Sequence, residues 1–198
     1  MPQPTALCVY CGSNAGIHPD YAAQARAFGA EIARRGITLV YGGGKVGLMG
    51  TVANAVLAAG GRVVGVIPRH LMEKEVGHTG LTELVVVDTM HQRKTRMFEL
   101  SDAFVALPGG FGTLDEMFEM LTWAQLGLHA YPCAFLNLRG YFDGLRQTMD
   151  HMVAEGFVRA AQRESVWFGD DQQAMFDWME HYQAGYTPKW IDADTVKA

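Results

Sequence analysis

The chain lacks any apolar run of 18 residues, which excludes an expected membrane-spanning helix. Met1-Pro-Gln-Pro-Thr5 leads into a strand-like segment with no signal-peptide pattern, so the expected location is cytoplasmic. Cysteine is scarce: Cys8, Cys11 and Cys133 are an odd set with no pairing framework, which fits a reducing compartment. Cys8 and Cys11 have C-x-x-C spacing, yet no second pair completes a zinc site. They also bracket a strand end, whereas a thioredoxin-type pair opens a helix. Positive charge is short as well. Sixteen Lys and Arg stand against 21 Asp and Glu, a net charge of −5, so no broad surface for nucleic acid is expected. No internal repeat, G-x-S-x-G elbow or cluster of metal ligands is present, and neither a metal nor a cofactor is expected.

What the chain does have is a regular alternation of short apolar runs and helical patterns. Strands are expected at 6–10, 37–41, 62–67, 83–87, 103–107, 132–137 and 165–168. Helices are expected from 19 to 35, from the glycine run after 41 to 59, from Thr89 to 100, and at 114–128, 141–155 and 170–181. Residues 69–80 read as a polar, irregular stretch with room for one helical turn, and the tail from Ala184 as loose. End-to-end β/α alternation in 198 residues argues one α/β domain, a doubly wound parallel sheet of about seven strands with helices on both faces. Ligands of such sheets bind outside the carboxyl ends of the strands.

One stretch at that edge concentrates the chemistry: Pro108-Gly-Gly-Phe-Gly-Thr-Leu-Asp-Glu116. Gly109, Gly110 and Gly112 permit φ > 0 and a close ligand approach. A helix beginning at Leu114 would aim its free N–H groups and positive dipole end at the turn, a site for phosphate or another anion. Glu116 falls within the first helical turn, and two readings of it stand side by side. Thr113 to Glu116 has the spacing of a capping box, while a carboxylate beside an anion site is also a candidate for catalysis.

A second glycine run, Gly42 to Gly50, opens another helix. It is neither a Walker A loop nor a clean G-x-G-x-x-G, and by itself is weak evidence; two such loops at one sheet edge are better. Thr89-Met-His-Gln92 reads as a further capping box, followed by Arg93, Lys94 and Arg96. Cations near a helix N-terminus oppose the dipole. They are explained by a bound anion, or by pairing with Glu99 or Asp102 on a solvated face. His91 reads as a surface residue. The helix at 114–128 is apolar nearly all round, and a second subunit would cover it. Glycine loops, the hydroxyls of Ser13 and Thr113, Arg93, Lys94 and one carboxylate suit hydrolysis of a nucleotide's glycosidic bond. Its oxocarbenium-like transition state can be stabilised by a carboxylate, which can also activate water. A nucleotide-binding module without catalysis, and a phosphoribosyl transferase, are the rival readings.

Gly-Gly-Gly-x-x-Gly-Leu-Met-Gly at 42–50, Met-His-Gln-Arg-Lys at 90–94 and Pro-Gly-Gly-x-Gly-Thr-x-x-Glu at 108–116 together resemble the LOG ("lonely guy") family over roughly residues 5–180. These are cytokinin riboside 5′-monophosphate phosphoribohydrolases. The resemblance implies a Rossmann-like fold, a homodimer, and a nucleoside monophosphate substrate, N6-modified AMP or AMP itself, cleaved to free base and ribose 5-phosphate. It implies Glu116 and Arg93 as the catalytic pair and phosphate on Gly109–Thr113, including Phe111, with Gly43 and Ser13 contributing. Lys94, Glu75 and Thr122 match substrate-contact positions, and Met90 helps to shape the base pocket. Met49, Met97 and Phe111 are further candidates for its apolar wall. Members are often labelled lysine decarboxylases. Lys45 and Lys94 read as too exposed for a pyridoxal-phosphate lysine, and that label is set aside.

Overall fold

The computed structural model describes residues 3–72 and 77–185. The element order is β1 (Ala6–Tyr10), α1 (Pro19–Arg34), β2 (Thr38–Tyr41), α2 (Gly47–Ala58), β3 (Val63–Pro68), α3 (Arg69–Met72), β4 (Glu83–Val87), α4 (Met90–Glu99), β5 (Ala103–Ala106), α5 (Phe111–Gln125), β6 (Cys133–Leu136), α6 (Asp143–Ala154), α7 (Ala160–Glu164), β7 (Val166–Gly169) and α8 (Gln172–Glu180). The strands form one seven-stranded sheet in the order β4-β3-β2-β1-β5-β6-β7. Every pairing is parallel. Seven strands with helices on both faces is the expected architecture.

The inner strands are continuous apolar runs because both of their faces are covered. Alternate residues of β1 serve different cores. Leu7, Val9 and Cys11 face α1, α2 and α8. Cys8 and Tyr10 face the layer holding Met97 of α4, Met117 and Met120 of α5, and Met149 of α6. This alternation disposes of the C-x-x-C spacing: residues three apart at a strand end project to opposite faces. All three cysteines are buried free thiols. Burial pushes Cys133 up to about 12 and the other two higher still.

The chain runs outward from β1 to β4 and then crosses back to β5 on β1's other side. The crevice above the carboxyl ends of β1 and β5 is therefore the switch point of the sheet. Gly12 N–H donates to Pro108 O at 3.0 Å across it, fastening the turn after β1 to the turn after β5.

Three departures from the expected elements matter. First, α5 starts at Phe111 and not at Leu114, with Gly110 at the N-cap. Glycine-rich sequence disguised the first turn. Second, α6 starts at Asp143 and not at 141, because a 3₁₀ turn at Leu138–Gly140 holds Arg139 at φ 56° and Gly140 at φ 70°. Third, α7 is too short to leave a periodic signature. The capping box at Thr89 is present: Thr89 Oγ1 accepts from Gln92 N–H at 3.1 Å, and Gln92 Oε1 accepts from Thr89 N–H at 3.2 Å. Among the described residues no helix is long and apolar enough to cross a membrane.

Candidate active site

The residues after β1, β2 and β5 and the first turns of α4 and α5 enclose a crevice of about 350 Å³, lined by Ser13, Gly42, Met49, Met90, Arg93 and the 110–116 stretch. That is within the size of sites that take small molecules. Val9, Tyr10 and Cys11 make its floor. Burial pushes the Cys11 thiol well up, and the negative charge of Glu116 adds to the effect, so Cys11 presents a neutral S–H and not a nucleophile.

Glu116 lies in the second turn of α5, facing inward and 8% exposed. Thr113 is inside the helix and is not its N-cap. The capping-box reading of Thr113 and Glu116 is therefore corrected: the helix begins too early for Glu116 to reach an N-cap N–H. What Glu116 does face is Arg93, with Oε1 3.6 Å from Arg93 Nη1. Arg93, 7% exposed, reaches across from the first turn of α4. Its Nη2 donates to Gly42 O at 3.3 Å. Its Nε is buried and has no hydrogen-bond partner among the described residues. A buried ion pair costs desolvation that packing alone would not require, and a buried donor without a partner beside it adds to that cost, which a functional role explains.

The glycines differ in purpose. None of Gly109, Gly110 and Gly112 has a positive φ, so left-handed freedom is not their reason, contrary to expectation. A Cβ on Gly109 would strike the Thr113 side chain and lie 2.8 Å from Gly12 N. A Cβ on Gly110 or Gly112 would meet no protein atom within 4 Å. Those two are open to the crevice, which leaves room for something to approach the backbone. The first-turn N–H groups of Phe111, Gly112 and Thr113 have no intrahelical acceptor and carry the positive end of α5. At α2 the equivalent groups are spent: Leu48 and Met49 N–H donate to Gly12 O at 3.1 and 3.3 Å. The second glycine loop is thus a packing device that also seats Arg93, whose guanidinium a side chain at Gly42 would overlap.

The other expected site residues fall as follows. Ser13, Met90, Phe111 and Thr113 line the crevice. Gly43 does not; it is buried behind the wall at φ 74°, with its carbonyl accepting from His78 N–H. Gly42 occupies the wall in its place, in the same glycine run. Lys94 points to the rim, paired with Asp115 at 3.2 Å and Glu119 at 3.3 Å. Its side chain is 13% exposed, which corrects the expectation of an exposed lysine; Lys45 is exposed. Burial opposes the Lys94 charge, but those carboxylates outweigh it and hold the ammonium above its ordinary range. Glu99 pairs with Arg96, and Asp102 accepts from the Thr5 hydroxyl at 2.6 Å, so neither neutralises Arg93 or Lys94. Thr122 stands on the outer face of α5, its hydroxyl donating to Phe118 O. It borders an apolar hollow of about 230 Å³ with Phe118, Leu121, Met149 and Val158, apart from the crevice. Met97 is fully buried in the core and cannot wall the crevice. Glu75 lies outside the described residues.

Sequence comparison decides what this geometry belongs to. A cytokinin riboside 5′-monophosphate phosphoribohydrolase of Rhodococcoides fascians is 51% identical over 166 residues, covering 83% of this chain and 84% of that protein. An enzyme of the same name from Arabidopsis thaliana is 44% identical over 195 residues, covering 96% and 90%. The chain belongs to the LOG family. A probable LOG enzyme of Oryza sativa subsp. japonica is 46% identical over 176 residues, covering 89% of this chain and 79% of that protein. A family model described as "Possible lysine decarboxylase" matches residues 49–179. The fold is shared more widely than LOG. The Moco carrier protein from Chlamydomonas reinhardtii superposes with a TM-score of 0.67 at 20% identity, over 89% of this chain and 95% of that one. The molybdenum cofactor binding protein of Rippkaea orientalis gives 0.66 at 19%, with the same coverage.

Proposed function

We propose that this protein hydrolyses the N-glycosidic bond of N6-modified AMP, a cytokinin riboside 5′-monophosphate, and of AMP, releasing free base and ribose 5-phosphate. The LOG relatives, 44–51% identical, carry that activity in their names. The single observation that carries it for this chain is the buried Arg93–Glu116 pair at the crevice floor, with Arg93 Nε unspent, beside the open N-terminus of α5.

The phosphate rests on the N–H groups of residues 111–113, with the hydroxyls of Ser13 and Thr113 beside it, and so anchors the ribose over Glu116. Arg93 presents its guanidinium at the crevice beside the sugar, and Nη1 keeps Glu116 oriented. As the glycosidic bond breaks, its electron pair leaves with the base, which takes up a proton from solvent, and positive charge builds on the ribose ring; the Glu116 carboxylate stabilises that charge and receives a proton from the water whose oxygen bonds to the anomeric carbon. Met49, Met90 and Phe111 provide apolar surface toward the base, where an N6 substituent can lie. Decarboxylation of lysine is disfavoured by the two lysines themselves. A Schiff-base lysine must lose its proton, whereas Asp115 and Glu119 hold Lys94 protonated and Lys45 stands in solvent.

A homodimer completes the reading. The outer face of α5 presents Phe118, Leu121 and Thr122 to the apolar hollow, so a second copy has apolar surface to cover. Thr122 is a proposed substrate contact, and a neighbouring subunit is the route by which a residue outside the crevice reaches one; Glu75 is proposed as a further contact. The protein is proposed to act in the cytoplasm, without nucleic acid or membrane partners. The test is product analysis. Incubation with AMP and with isopentenyl-AMP, without added metal, should yield free base and ribose 5-phosphate. Binding without cleavage would replace this proposal with a nucleotide-binding module.

A further inference from the structure

Adjoining the crevice, and sharing Gly12, Ser13 and Gly110 with it, lies a smaller hollow of about 250 Å³, bordered also by Tyr21, Leu48, Pro108, Gly109 and Tyr141. Tyr141 has an unusual origin. After β6 the chain takes two consecutive left-handed residues, Arg139 at φ 56° and Gly140 at φ 70°. Arg139 is the one non-glycine residue with positive φ among the described residues. Left-handed backbone is disfavoured for a side chain of this kind, so the surroundings must hold it. Asn137 does much of this: its Oδ1 accepts from Phe142 N–H at 2.6 Å and its Nδ2 donates to Asp143 Oδ1 at 2.8 Å. Phe142 is buried against Phe135. The turn thereby delivers Tyr141 to one place. Its hydroxyl donates to Gly109 O at 2.7 Å, and its ring meets Tyr21 edge-on at 6.0 Å.

We infer that Tyr141 is a positioning residue for the anion loop, fixing the Gly109–Gly110 peptide so that its N–H faces the crevice. This rests on the proposed binding of the substrate phosphate at that loop. The physical argument is short. In a trans peptide the C=O and N–H point in opposite directions. The Gly109 carbonyl is held by the Tyr141 hydroxyl, so the Gly110 N–H points the opposite way; Gly109 borders only the Tyr141 hollow, whereas Gly110 borders the crevice as well, which puts the crevice on the N–H side of this peptide in the proposed arrangement. A peptide between two glycines has little side-chain hindrance to flipping, and flipping would turn a carbonyl oxygen toward the phosphate. A hydroxyl donating to that carbonyl selects the productive state and polarises the N–H across the same peptide. Nothing in the packing of the helix requires the contact, since Tyr141 is 46% exposed.

Tyr141→Phe removes the hydroxyl and leaves the ring. The expected result is a rise of about five- to tenfold in KM for AMP, the worth of one hydrogen bond to the loop. Inhibition by ribose 5-phosphate should weaken in parallel. The kcat should stay within twofold, inhibition by adenine should not change, and the melting temperature should hold. An unchanged KM in a variant that melts normally would overturn the inference, as would a fall in kcat at constant KM. If the wild type cleaves no nucleotide, the proposed function fails on its own. The inference is then judged by the melting shift from ribose 5-phosphate: a smaller shift in Tyr141→Phe than in wild type supports it, and equal shifts refute it.

Discussion

Glu116→Gln tests the centre of the site. Glutamine has nearly the same volume, so no cavity opens, and the change removes charge from a side chain that is 8% exposed. Breaking a buried ion pair by deleting one partner costs about 3–5 kcal/mol. Here the amide keeps an accepting oxygen, Arg93 keeps its bond to Gly42 O, and the crevice admits water, so a loss of about 1–2 kcal/mol is expected. For a chain of this size that lowers the melting temperature by about 2–8 °C. The chemical step should suffer far more. A positioned carboxylate that serves as base contributes about 10²–10⁴ in rate, or about 3–5 kcal/mol of barrier. The phosphate grip comes from α5 and not from Glu116, so KM should move little. The assay is release of base and ribose 5-phosphate under single-turnover and steady-state conditions, with folding followed by thermal melt. A folded Glu116→Gln enzyme with kcat within tenfold of wild type would refute the catalytic assignment. The capping alternative could not then be revived, because Gly110 caps the helix.

Five further outcomes follow from the geometry. Arg93→Lys cannot face Glu116, Gly42 and a ligand atom at once, so KM for AMP should rise about tenfold or more, measured by steady-state kinetics. Gly112→Ala improves helix propensity and meets no protein atom, so it should melt slightly higher, by up to about 1 kcal/mol, while its methyl group enters the crevice and raises KM. Gly109→Ala, by contrast, collides with Thr113 and should cost about 1–3 kcal/mol in denaturant unfolding. Hydrogen bonds from Arg34 and then Arg35 hold Glu31 down at about 2, below its ordinary 4.5. Its contribution is fully present above pH 4.5 and is lost as pH falls toward 2. Screened by solvent, it should amount to about 1 kcal/mol, and Glu31→Gln should flatten that part of the stability profile. Leu121→Asp on the outer face of α5 should shift the mass measured by light scattering toward the monomer, and an unchanged mass would exclude that face as the dimer contact.

The sequence alone determined the order and type of nearly every element, because an apolar run covered on both faces and a 3.6-residue stripe are local patterns that burial enforces. β1 and β4 fall where the apolar runs put them, and the Thr89 box caps α4 as its spacing requires. The sequence also named Arg93 and Glu116, through motifs whose residue types are costly unless used. Tertiary structure alone decided how they meet. The pairing of β1 with β5 places the turn after Tyr10 beside Pro108, and Arg93, held at Gly42 after β2, meets Glu116 of α5 only because β2, β1 and β5 lie side by side in the sheet. It also separated glycines that read alike in the chain: Gly109 is crowded by Thr113, Gly110 and Gly112 are open, and Gly43 is behind the wall. The start of α5 at Phe111 was hidden because glycine carries little helical signal, while docking on the sheet holds the turn regardless. Tyr141 left no trace in the sequence, because its place depends on a left-handed turn at Arg139 that is stabilised by Asn137 and Phe142. A residue's neighbours along the chain record its propensity; its role in this crevice comes from the residues packed against it.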